Sequence, residues 1–140
     1  MSGWLVSHDE RFKAAVAGSG VYDWQSQFGT CDIPSFTDWY QKGAPWRKSE
    51  AVLRQSPFMH VENVRAFVLL YHGEADRRVT IGQSEEMFRG LKRAGVTVQF
   101  VRYPKEGHGI RGYHHRRDLL DRTLNWFGRY VKGSHRRRKR

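Results

Sequence analysis

Three short apolar runs punctuate the chain, each closed by a turn-forming residue. Ala14–Val21 (AAVAGSGV) ends among glycines, Phe67–His72 (FVLLYH) runs into Gly73, and Val96–Tyr103 (VTVQFVRY), rich in β-branched residues, stops at Pro104. None alternates cleanly between apolar and polar, as expected of parallel strands covered on both faces. Between the second and third runs, Ile81–Ala94 places Met87, Leu91 and Ala94 on one helical face, and Gly95 follows where a left-handed terminating residue belongs. That stretch predicts a β-α-β unit. A last helix, Tyr113–Val131, groups Leu119, Leu120, Thr123, Leu124, Phe127 and Val131 on one stripe, with Arg116, Arg117, Arg122 and Arg129 turned mostly to water. The order β, β, α, β, α predicts an open α/β fold, a mostly parallel sheet flanked by helices.

The segment Tyr22–Trp46 follows neither period. It holds seven aromatic residues in 25 positions, with Gly29, Pro34, Gly43 and Pro45 as breakers. Such a stretch is an excursion from the sheet, a loop and short-helix insertion that packs its rings on the domain, offers them as the apolar wall of a ligand cleft, or does both. Trp24, Phe36, Trp39 and Tyr40 are the candidate wall residues.

Length and composition narrow the class. At 140 residues the chain is one domain's worth, with 39% hydrophobic and 28% charged residues, outside the disordered and membrane classes. The apolar run Phe67–Tyr71 is far short of the roughly 18 residues of a spanning helix. No basic leader precedes an apolar stretch at the N-terminus, so a cytoplasmic location is expected. Cys31 is the single cysteine, which excludes an intramolecular disulfide and any zinc site built on two thiolates. The net charge of +11 raises nucleic acid or an anionic surface as partner. Six of the 25 basic residues, however, lie in 132–140 (KGSHRRRKR), leaving the rest of the chain at +5. With no aromatic interleaved in that tail to stack bases, a nucleic-acid role is the weakest reading and a solvated extension the favoured one.

In an open α/β sheet, ligands gather just beyond the carboxyl ends of the strands. HGEADRRV leaves the second strand there and offers Asp76; YPKEGHGI leaves the third and offers His108 between two glycines. Flanking glycines let a tight loop present an imidazole without obstruction, and an aspartate from the neighbouring strand end can bond one ring nitrogen and fix its tautomer. An acid followed by a histidine is two-thirds of a hydrolase triad. An aspartate in a post-strand turn and a solvent-facing histidine in a glycine loop are also commonplace. His72, Glu74, Asp76, His108, His114 and His115 offer a competing metal set, but the zinc deaminase signature that H-x-E opens needs a later C-x-x-C. Neither metal nor organic cofactor is expected.

HGEAD followed 32 residues later by the histidine of YPKEGHG resembles the C-terminal part of the prolyl oligopeptidase family, above all its acylaminoacyl-peptidase-like bacterial branch. WLVSHDERFKAAV (Trp4–Val16), DIPSFTDWY (Asp32–Tyr40), SPFM (Ser56–Met59), GQSEE (Gly82–Glu86) and HHRRDLLDRTLNWF (His114–Phe127) carry the likeness across about residues 4–131. The resemblance implies that residues 1–131 are the C-terminal portion of an α/β-hydrolase catalytic domain; it stops before 132–140, which composition alone marks as a basic tail expected to be disordered. It implies a serine peptidase of short peptides, Asp76 as triad acid and His108 as general base. That family's nucleophile sits in a G-x-S-x-G-G elbow, and placing Trp4 on the helix after it puts the serine about five residues before Met1. The serine is therefore expected outside this chain, and the chain alone is expected to be inactive. Ser19 (AVAGSGV) lacks the elbow spacing, while Ser56, Ser84 and Ser134 fall in a turn, a helix start and the tail. The alternative is a noncatalytic remnant that pairs with another chain, or with its own copy, through an exposed sheet edge. Arg111 and Tyr113, adjacent to His108, are further candidate substrate contacts.

Overall fold

The three apolar runs are the three strands of the computed structural model, which describes residues 1–133. The strands are β1 (Ala14–Gly18), β2 (Phe67–Gly73) and β3 (Val98–Tyr103), paired in parallel in the order β1-β2-β3. Ala15 stands opposite Val68, and Val68 opposite Val98. β1 stops at Gly18, short of the expected Val21, because Ser19 spends its N–H on the Tyr71 carbonyl and then turns to a left-handed φ of 44°. β3 begins only at Val98, since the chain is still leaving the preceding helix through Gly95, at φ +77°.

Alternation along parallel strands gives the sheet two faces. Ala15, Ala17, Val68 and Leu70 point to one face, where they bury Val6 of α1 (Ser2–His8) and Met87 and Leu91 of the helix joining β2 to β3. The opposite face holds Phe67, whose ring stacks on Tyr130 of the last helix and whose carbonyl accepts from Trp126 Nε1 at 3.2 Å. Helices thus cover both faces, as strands without clean alternation require.

The excursion is longer and more helical than its composition suggested. Between β1 and β2 the chain forms α2 (Trp24–Thr30), α3 (Pro34–Gln41), a 3₁₀ turn (Pro45–Arg47), α4 (Ser49–Arg54) and further 3₁₀ turns over Pro57–Asn63. Asp23 caps α2, its side chain accepting from the Gln25 amide at 2.8 Å. After β2 come α5 (Ile81–Arg93), β3 and α6 (Tyr113–Tyr130).

The stripe expected to bury α6 is corrected. Leu120, Leu124, Phe127 and Val131 are exposed, Leu124 to 62%. The helix instead meets the sheet through Trp126 and Tyr130, with Asp118 accepting from the Tyr103 hydroxyl at 2.9 Å. No described helix is long and apolar enough to cross a membrane. The basic tail, with Ser134, lies almost wholly outside the described residues.

Candidate active site

The exits of β2 and β3 are stitched together before either functional side chain appears. The Glu74 amide donates to the Tyr103 carbonyl at 2.9 Å, and the Ala75 amide to the Glu106 carbonyl at 2.8 Å. Gly73 makes this approach possible, because a Cβ there would collide with the backbone oxygens of both Glu106 and Gly107. The turn then presents Asp76, whose carboxylate is sealed from solvent. Its Oδ1 accepts from the amides of Arg78 (2.9 Å) and Val79 (3.0 Å), and its Oδ2 accepts from His108 Nδ1 at 2.9 Å. A carboxylate on Nδ1 places the proton there and leaves Nε2 as the free lone pair on a side chain 55% exposed.

His108 stands in the open because its loop is held from below by Glu106. Glu106 Oε2 accepts from the Arg111 amide (2.8 Å), and Oε1 from the Gly112 amide (2.9 Å) and His115 Nδ1 (2.7 Å). These bonds, the Arg111 amide foremost, hold the Glu106 carboxyl below its ordinary pKa. Sequence reasoning passed Glu106 over. A carboxylate opening a short glycine-rich loop was its only signal.

Beside His108 opens a cavity of about 330 Å³. Trp24, Phe36, Ile33 and Val79 give it apolar walls, and Arg78 and Cys31 add polar atoms. Of the four aromatic residues assigned to a ligand wall, Trp24 and Phe36 line it. Tyr40 lies behind them, stacked on Trp24 at 5.2 Å, and Trp39 is 75% exposed on the outer surface. The wall is strapped to the Asp76 turn: Gln27 Nε2 donates to the Arg78 carbonyl (2.9 Å), the Asp32 amide to the Arg77 carbonyl (2.9 Å), and Arg78 Nε to Asp32 Oδ1 (2.8 Å). Arg111 and Tyr113 do not line the cavity.

The other candidates are engaged elsewhere. Ser56 Oγ donates to the Val52 carbonyl and accepts from the Trp24 amide, and Ser84 Oγ bonds His72, whereas Ser19 Oγ is buried without a hydrogen-bond partner and away from the cavity beside His108. Glu74 pairs with Arg102 at 2.8 Å and His115 with Glu106, so neither joins Asp76 and His108, and no group of side chains placed to hold a metal ion occurs among the described residues.

The profile of the prolyl oligopeptidase family matches residues 1–134. The chain belongs to the prolyl oligopeptidase family. Among relatives in this family, it is 33% identical to an uncharacterized peptidase, YuxL, of Bacillus subtilis, over 94% of this chain and 20% of that protein. It is 31% identical to the acylamino-acid-releasing enzyme of Rattus norvegicus, over 87% of this chain and 18% of that one. The acylaminoacyl peptidase of Pyrococcus horikoshii superposes with a TM-score of 0.88 at 28% identity, covering 97% of this chain and 23% of that one. The parallel sheet flanked by helices is thus the α/β-hydrolase fold of the prolyl oligopeptidase family, and the chain spans about a fifth of the length of the curated relatives it matches.

Proposed function

We propose that this chain supplies the acid and base of a cytoplasmic serine peptidase acting on short, N-acylated peptides, with the nucleophile contributed by a segment outside it. The observation that carries the reading is the 2.9 Å bond from His108 Nδ1 to a buried Asp76, at the edge of an apolar cavity. In the reaction, His108 Nε2 takes the proton of the attacking serine hydroxyl as it adds to the scissile carbonyl. The same nitrogen then passes that proton to the leaving amine, and Asp76 holds the ring and stabilises the imidazolium between the two steps. Trp24 and Phe36 receive the substrate side chain that precedes the cleaved bond. Hydrolysis of the acyl-enzyme by water repeats the proton transfers in the opposite sense.

The test is hydrolysis of an acyl-peptide p-nitroanilide by the chain alone and by the chain fused behind a nucleophile-bearing segment of a family relative. The chain alone is expected to be inactive. The fusion is expected to turn over, and Asp76→Asn or His108→Ala to lower its rate by about 10⁴-fold. A fusion whose activity ignores both substitutions refutes the assignment, and activity of the unfused chain refutes the missing nucleophile. A second reading, a noncatalytic chain that pairs with another protein, is favoured by the outer edge of β1 and the exposed stripe of α6.

A further inference from the structure

The hydrogen bonds that hold Asp76 continue inward. Behind it lies His72, a residue of β2 with no exposed surface. Its Nε2 is 2.8 Å from the Val79 carbonyl oxygen and 3.2 Å from Asp76 Oδ2. Both are acceptors, so Nε2 carries the proton. Nδ1 is then the lone-pair nitrogen, and Ser84 Oγ on α5, 2.7 Å away, donates to it. Burial pushes the His72 pKa below its ordinary value, in keeping with a neutral ring. Ser84, His72, Asp76 and His108 thus stand in series from the interior to the cavity. A polar ring buried near the end of a strand costs stability unless every nitrogen is paired, and an aliphatic residue would fill the same place without that requirement.

We propose that His72, oriented by Ser84, is a positioning residue for the Asp76–His108 pair. Its Nε2–H clips Asp76 Oδ2 to the Val79 carbonyl, and so fixes the oxygen that receives His108 Nδ1–H. The purpose of the arrangement rests on the peptidase reading above; the geometry requires no nucleophile. Arg78 from the same turn and Cys31 from the end of α2 line the cavity on the His108 side, and the buried Tyr22 hydroxyl faces Ser84 at the inner end. None of them bonds His72, whose ring nitrogens are fully used.

Nitrogen NMR of the full chain, labelled at histidine and recorded near pH 9 where ordinary histidines are neutral, reads the tautomers directly. The expected result is Nε2–H at His72 and Nδ1–H at His108. In His72→Leu the His108 signals should average between the two tautomers, and in His72→Gln, whose amide N–H takes the place of the ring N–H, the Nδ1–H form should return. Should His72→Leu fail to fold, Ser84→Ala carries the test, with partial averaging at His108 expected. Nδ1–H at His72 in the unaltered chain overturns the proposal, as do unchanged His108 signals in a folded His72→Leu or in Ser84→Ala. No substrate enters these readouts, so failure of the hydrolysis assay and failure of this inference are separate events.

Discussion

After β2 the functional side chain is buried and supported by its own turn's amides; after β3 the support is buried and the functional side chain stands in the open. Asp76 is sealed, with Arg78, Val79 and His108 donating to it and His72 Nε2 3.2 Å from its Oδ2. His108 is more than half exposed, and Glu106, 8% exposed, does the holding two residues earlier. The difference follows from the roles proposed for them. A carboxylate that only orients a ring gains from exclusion of water, which strengthens its hydrogen bonds. A base that must reach a substrate cannot be enclosed, so its rigidity has to come from a neighbour. Two turns of similar length solve opposite problems.

The contrast depends on the turns being locked together, and the largest effect is expected where they touch. Gly73→Ala drives a methyl group into the Glu106–Gly107 backbone; urea unfolding should show a loss of about 3 kcal/mol. A loss under about 0.5 kcal/mol, the range of ordinary surface changes, would show that the turns can separate freely. Next comes the anchor of the exposed side. Glu106→Ala leaves two amides and His115 without their acceptor and should cost about 2 kcal/mol, with Glu106→Gln about half as damaging because one acceptor oxygen remains. Equal losses in the two variants would mean that the packing of this side chain matters rather than its oxygens.

Acid should then separate the turns by pH. Folding lowers the His72 pKa from 6.5, so below about pH 6.5 the unfolded chain binds the extra proton and stability falls with pH. Folding also lowers the Glu106 pKa from 4.5. Its contribution is complete above that value and disappears as pH falls through the lowered one. Thermal melting from pH 7 to 5 should show a decline that His72→Gln removes, and a further decline below about pH 4.5 that Glu106→Gln reduces. A first decline that persists in His72→Gln assigns it to another group. The smallest effect belongs to Arg78→Ala, which breaks an exposed ion pair with Asp32 and should cost less than about 1 kcal/mol.

How much of this was legible beforehand is shown by the two long helices. Both have an apolar period, and in α5 two of the three residues it marked, Met87 and Leu91, are fully buried, while Ala94, just past the helix end, is exposed. In α6 most of the marked stripe faces out, with only Leu119 and Thr123 half-buried, while the inner side is built from residues with polar tips: His115 to Glu106, Asp118 to Tyr103, Trp126 to the Phe67 carbonyl. A period says that a face exists; which neighbour covers it is a property of the tertiary structure. The strands were readable because buried parallel strands are nearly continuous apolar runs, and His108 because glycines flank it. His72 was not readable as a support, since it closes an apolar run that burial alone explains. The short helices of the excursion carry too few turns to show a period at all.

The two strand pairings also differ in span. β2 and β3 pair across 30 residues (Val68 with Val98), whereas β1 and β2 pair across 53 (Ala14 with Phe67). Closing the longer span costs about 0.5 kcal/mol more chain entropy, before any of the excursion is arranged. Asp76, His108, His72, Ser84 and Glu106 all belong to the shorter unit, from β2 to the start of α6. The acid and base are therefore brought together by the shorter pairing alone, and the closure of β1 with its aromatic insertion adds the cavity wall rather than the pair.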